Sequence, residues 1–291
     1  MSMVHTYTAG ITACSNGLPE EKKEEIHLLA DVLGRYGVSA VMSRYLYERS
    51  DGISGSGRKK AEELMRFFEN PGIRYIFDVS GGDMANEVLG YLDYQKIRES
   101  RAVFWGYSDL TVILNAIYAK TGKASVLYQI RNLLYDHREE QQKRFSQRKE
   151  NETADLFTLD GKFVHGHHME GAVVGGNIRC FLKLAGTPYF PDFKDKILFL
   201  EARSGQVPQM TTFFSQLQQT GAFDKIKGLI LGTFTQMEAA SKDIVPLALR
   251  YVKEALPVFW TLEAGHGTDS KAVIIGGQVM TVSESRIRTQ N

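Results

Sequence analysis

Three polar residues stand at the ends of apolar, strand-like runs: Ser108 after AVFWGY, Glu201 after ILFL, and His266 after VFWTLEAG. A serine hydroxyl attacks a carbonyl well only when a neutral imidazole takes its proton and a carboxylate holds that imidazole in the right tautomer and stabilises its cation. The three together can therefore perform acyl transfer through a covalent intermediate. Each has a plainer reading alone. Ser108 or Asp109 could cap a helix, Glu201 could pair with Arg203, and His266, between two glycines, could be a turn residue. Around Ser108 the pattern adds a reason for chemistry: 102–105 reads as a short strand, 106–109 as a tight turn, and 110–120 as a helix with apolar residues at helical spacing. A serine at such a junction projects from the carboxyl edge of a sheet, and the backbone N–H groups that follow, starting with Asp109, belong to an unsatisfied first turn that can face an oxyanion.

The elements that must carry these residues alternate along the chain. Residues 8–13 read as a strand ending in Cys14-Ser15-Asn16-Gly17, Pro19 to Gly34 as a helix, 38–42 as a strand, 61–69 as a helix, and 73–79 as a strand running into Ser80-Gly81-Gly82. A helix bearing Val88, Leu89, Tyr91 and Leu92 precedes the Ser108 strand. This alternation predicts an α/β fold with a parallel sheet and helices on both faces, in which Ser15, Gly81-Gly82 and Ser108 share the ligand-binding edge. From 135 to 162 the chain is highly charged and poor in apolar residues, and we place a boundary there, giving domains 1–145 and 146–291. The second half alternates more loosely: helices are expected at 178–184, 207–220 and 244–254, and strands at 171–174, 196–200, 228–231 and 258–262. Runs 272–275 and 279–282 read as a hairpin turning at Gly276-Gly277.

At 291 residues two domains are the natural expectation. A formal net charge of +1 with mixed signs gives no general affinity for nucleic acid or anionic membranes. Cys14 and Cys180, far apart in apolar settings, suit buried thiols in a reducing compartment, and neither a basic-then-apolar leader nor a run of transmembrane length is visible, so a cytoplasmic location is expected. Gly52 to Lys59 approaches a phosphate-binding loop, but Arg58 stands where its lysine belongs, so it is read as a loop capping the next helix. His165, His167 and His168 lack a companion Cys or paired carboxylate at ligand spacing and are read as a solvated loop.

Four blocks, SGGDMANEVLGYLDYQKI, WGYSDLTVILNAIYAKTG, VVGGNIRCFLKLAGTPYFPDFKDKILFLEA and EAGHGTDSKAVIIGG, resemble in order and spacing the LD-carboxypeptidase family of serine peptidases, which also contains the microcin C7 self-immunity proteins. The resemblance implies Ser108 as nucleophile, Glu201 as orienting acid and His266 as general base, with the N–H groups of Gly82 and Asp109 as oxyanion donors. It further implies an N-terminal flavodoxin-like domain, a C-terminal β-rich swivelling α/β domain, an active site between them, a homodimer, and no metal or cofactor. The substrate it implies is either a muropeptide losing a terminal D-alanine or a peptidyl-aspartyl adenylate. Three departures from the family pattern are expected to border the substrate pocket: Tyr128 to Arg131 lacks a Gly-Pro pair, Val273 to Gly276 replaces a Leu-Pro-Leu-Gly-like run, and Ala13-Cys14-Ser15 replaces Ala-Pro-Ser.

Overall fold

The computed structural model describes residues 7–147 and 155–291. Part of the charged stretch that carries the expected domain boundary, 148–154, lies outside the described residues. The first half runs β1 (Tyr7–Thr12), α1 (Lys23–Arg35), β2 (Val38–Met42), α2 (Gly57–Glu69), β3 (Ile73–Asp78), α3 (Tyr94–Glu99), β4 (Val103–Gly106), α4 (Thr111–Thr121), β5 (Ser125–Leu127) and α5 (Arg138–Gln147). Its five strands are mutually parallel in the order β5-β4-β3-β1-β2. The Val88 segment is a 3-10 helix, Ala85–Tyr91, rather than an α-helix.

Side chains alternate across a strand, so each strand of this sheet feeds two cores. Phe77, Trp105 and Val126 pack with Ile26, Leu29 and Leu33 of α1 and with Phe145 of α5. Their neighbours Ile76, Phe104 and Leu127 point the other way, onto α2 and α4. The loop before α2 caps it, Ser56 Oγ accepting a hydrogen bond from the Lys59 amide at 3.4 Å.

The second half contributes β6 (Thr158–Asp160), β7 (Lys162–His165), β8 (Glu170–Asn177), α6 (Ile178–Leu182), β9 (Lys196–Ala202), α7 (Val207–Gln219), α8 (Ala222–Lys225), β10 (Gly228–Phe234), α9 (Thr235–Ala239), α10 (Val245–Ala248), β11 (Val258–Trp260), β12 (Val273–Ile275), β13 (Gln278–Ser283) and β14 (Arg286–Gln290). Eight of these strands form a mixed sheet ordered β6-β14-β13-β8-β9-β10-β11-β7, with β8 to β11 parallel at its centre. The helix expected at 244–254 is only one turn, α10. Beyond it Tyr251 packs on Phe214 with ring centroids 5.5 Å apart.

Gly276-Gly277 is not a hairpin turn. β12 leaves the second half altogether and pairs antiparallel with β5 at the edge of the first sheet, while β13 pairs with β8 and β14 in the second. The glycines thus carry the chain from one sheet to the other.

α4 is the wedge between the sheets, which is why Val112, Ile113, Leu114, Ala116 and Ile117 are buried around most of its circumference. The Asn115 carboxamide grips the backbone of Gly175 in β8, donating to its carbonyl at 2.7 Å and accepting from its amide at 2.9 Å. Thr111 Oγ1 accepts from the Asn177 amide at 3.1 Å. Closeness here requires glycine: a Cβ on Gly176, at φ +130°, would lie 2.7 Å from Thr111 Oγ1. The helix that begins beside Ser108 is therefore locked to the sheet that carries Glu201.

Glu63 of α2 is a buried anchor of the first sheet's outer face. Its carboxylate accepts from Arg44 Nη2 at 2.8 Å and Arg66 Nη2 at 3.0 Å. Burial alone would raise its pKa, but the bonds from Arg66 and Arg44 outweigh that and pull it from its ordinary 4.5 to about 2. A depressed carboxylate pKa stabilises the fold above the unfolded value and loses that contribution as pH falls through the folded one. Glu63→Gln is thus expected to lower the melting temperature at neutral pH, with the gap from wild type closing as pH falls from about 4.5 toward about 2. Thermal melts of both proteins across that range check it, and a pH-independent gap would contradict it.

Candidate active site

Ser108 sits where β4 turns into α4. Its φ is +55°, a left-handed conformation that non-glycine residues adopt at a cost of about 1–3 kcal/mol, and it opens the 3-10 turn Ser108–Leu110 ahead of the α-helix. Neither Ser108 nor Asp109 makes a side-chain cap, so the capping reading is set aside. The Asp109 carboxylate instead ties four pieces of chain together. One oxygen accepts from Ser15 Oγ at 2.6 Å and the Ala85 amide at 2.8 Å; the other takes Lys183 Nζ, from just beyond α6, at 2.5 Å. A fully buried charge is tolerable when paired and hydrogen-bonded in this way, and the network fixes the backbone that aims Ser108.

The loop after β3 is built equally firmly. Asp78 accepts from the Ser80 amide at 2.9 Å, Ser80 Oγ at 2.6 Å and the Cys14 amide at 2.8 Å. Burial raises the Asp78 carboxyl above its ordinary range, with those donors opposing the shift. Farther along, Asn16 Oδ1 accepts from the Asp83 amide at 2.9 Å, and Arg179 Nη2 donates to the Gly82 carbonyl at 3.2 Å. Gly81 and Gly82 are thereby held at the carboxyl edge beside Ser108.

Glu201 ends the apolar core of β9 and is completely buried. His266 lies on the loop after β11, where its amide donates to Thr233 Oγ1 at 3.3 Å. Gly265 must be glycine for this approach: at φ +149°, a Cβ would fall 1.9 Å from Thr233 Oγ1. From the first half, Gln141 Nε2 donates to the Thr268 and Ser270 carbonyls, each at 3.0 Å, so α5 clamps the histidine loop.

These supports bring the three residues into one line. His266 Nδ1 is 2.5 Å from Glu201 Oε2, and His266 Nε2 is 3.2 Å from Ser108 Oγ. Both separations are within the reach that proton transfer needs. Glu201 makes no ion pair with Arg203, contrary to its plainer reading; its second oxygen is buried without a partner among the described residues. The Tyr107 ring packs on the imidazole, centroids 4.5 Å apart. Burial, and then the charge of Glu201, push the Tyr107 phenol far up, so it stays protonated.

Ser108 and His266 open into a cleft of about 640 Å³ that Gly82, Asn16, Arg131 and Arg203 also line. Asp109 is fully buried and is not among the residues that line it. Of the departures expected to border the pocket, only 128–131 does so, through Gln129 and Arg131. Val273 to Ile275 is a sheet-edge strand, and Cys14 is a buried free thiol, as is Cys180. His165 ends β7 at the far edge of the second sheet, with His167 and His168 exposed beyond it. Asn16 was not singled out by sequence, although its place in the turn after β1 is a signal; Arg131 falls within the departure at 128–131, and Arg203 entered only as a possible partner of Glu201, not as a cleft residue.

The LD-carboxypeptidase N-terminal domain profile matches residues 9–129 and the LD-carboxypeptidase C-terminal domain profile matches 170–281. "Putative carboxypeptidase YocD" of Bacillus subtilis is 28% identical over 275 residues, covering 84% of each chain. Among solved structures, the microcin C7 self-immunity protein MccF in complex with aspartyl sulfamoyl adenosine superposes with a TM-score of 0.86 at 21% identity, over 98% of this chain and 96% of that one. The muramoyltetrapeptide carboxypeptidase of Oxalobacter formigenes does so with a TM-score of 0.80 at 22% identity, over 98% and 99%. At such identities the structures speak for the shared fold, and the two domain profiles speak for descent. The chain belongs to the LD-carboxypeptidase family of peptidases.

Proposed function

We propose that this peptidase is a serine enzyme in which Ser108 is the nucleophile, His266 the general base and Glu201 the acid that orients it. The observation that carries the reading is the unbroken Glu201–His266–Ser108 hydrogen-bonded line at the mouth of the cleft. Ser108 Oγ attacks the substrate carbonyl while His266 Nε2 takes its proton, and Glu201 stabilises the imidazolium through Nδ1–H. The amides of Gly82 and Asp109 receive the oxyanion. His266 then gives its proton to the departing group, and the acyl-Ser108 ester is hydrolysed by a water that His266 deprotonates in turn. The alternative, a cleft that binds a peptide or nucleotide conjugate without chemistry, gives no reason to hold a strained serine against an imidazole.

The substrate we propose is a peptide cleaved near its C-terminus: a muropeptide tetrapeptide at its L,D-amide, or a microcin C7-like peptidyl-aspartyl adenylate, whose hydrolysis would give immunity. The MccF and muramoyltetrapeptide carboxypeptidase structures support both classes as occupants of this fold. The reading carries with it units 1–145 and 146–291, a homodimer and a cytoplasmic location. Incubation with each substrate followed by mass spectrometry of the products tests it. Release of D-alanine or of the aminoacyl-free nucleotide is expected; survival of both substrates intact would contradict it.

A further inference from the structure

Among the described residues the cleft is lined by three cations, Lys22, Arg131 and Arg203, and by no carboxylate. Two of the three are already answered. Glu25 lies 2.6 Å from Lys22 Nζ and 3.4 Å from Arg131 Nη1, and it also accepts from Tyr135 OH at 2.9 Å. Burial raises the Glu25 carboxyl, but the bonds from Lys22 and Tyr135 and the charge of Arg131 outweigh it, so Glu25 is held below its ordinary range and stays charged. Arg203 has no ion-pair or side-chain hydrogen-bond partner among the described residues. Its backbone is nevertheless fixed, the Gln236 amide donating to its carbonyl at 3.1 Å, and its charge reaches the buried Tyr107 phenol.

Position decides what this cation can meet. Arg203 follows Glu201 by two residues at the end of β9, so it stands on the side of the cleft from which Glu201 holds His266. The oxyanion side, Gly81-Gly82, belongs to the first sheet. In serine acyl transfer the imidazole protonates the departing atom, so the His266 side is the leaving-group side. We propose that Arg203 binds a negative charge carried by the leaving group, close beyond the scissile bond, and thereby sets specificity. This rests on the acyl-transfer reading above. The charge is an α-carboxylate if the leaving group is a terminal amino acid, or a phosphoryl-type group if it is a nucleotide; a guanidinium fork suits either.

Binding tests the proposal without requiring turnover. In a Ser108→Ala background, with and without Arg203→Ala, calorimetry would measure Kd for a muropeptide tetrapeptide ending in free D-alanine, for its C-terminal amide, and for aspartyl sulfamoyl adenosine. Loss of a charge-assisted contact should weaken the charged ligand on the order of 10- to 100-fold and the amide much less. Arg203→Lys should recover part of the loss. A loss confined to the free acid identifies a carboxylate, and one confined to the adenosine conjugate identifies a phosphoryl-type group. Equal loss for acid and amide, or no loss for either charged ligand, overturns the proposal, as does an Arg131→Ala variant that alone abolishes the preference for acid over amide. Failure of wild-type protein to turn over any substrate would instead overturn the acyl-transfer reading, leaving the Kd comparison to decide Arg203 separately.

Discussion

Ser108→Ala is expected to reduce turnover by about 10³-fold or more while leaving substrate affinity near that of wild type. The change deletes one oxygen, whose hydrogen-bond partner in the resting protein is His266 Nε2. The supports of the loop, Asp109 with Ser15, Ala85 and Lys183, are untouched. Alanine also bears the left-handed φ no better than serine, so no strain is released and the melting temperature should change little. Single-turnover rates and calorimetric binding of the same substrate separate the two effects. Wild-type turnover in Ser108→Ala would exclude a covalent step at this residue.

His266→Ala should cost on the order of 10⁴-fold or more in kcat, because it removes the proton acceptor and the later proton donor together. Glu201→Gln is expected to be milder. The glutamine oxygen can still accept from Nδ1–H and hold the ring, although it no longer offsets the imidazolium charge. Its amide nitrogen would take the place of Oε1, which is buried without a partner, so some loss of stability should accompany the kinetic loss. Parallel measurement of kcat and melting temperature for both variants checks the order. If Glu201→Gln were the more damaging in kcat at unchanged stability, Glu201 would have a role other than orienting His266.

The Ser108 junction was legible because an apolar strand run, a turn and a helical period follow one another without interruption, and each signal is local. The parallel sheet followed from repeating that pattern. β12 was misread for the complementary reason: two short apolar runs flanking Gly-Gly match a hairpin locally, whereas the pairing of Val273 with Leu127 is a long-range fact that no local pattern carries. β5, three residues long, left no period to detect. The pin between Asp109 and Lys183 and the sharing of Glu25 by Lys22 and Arg131 depend on where separate segments meet, and charged side chains on helical faces read as ordinary solvated surface.

An ester between substrate and Ser108 would be seen in the intact-protein mass during turnover, quenched in acid and followed by peptide mapping. A transient species is expected, heavier than the free protein by the acyl part of the substrate, mapped to the peptide containing Ser108 and absent from Ser108→Ala. Product formation by wild type with no such species under rapid quench, or an adduct mapped to any other residue, would contradict it.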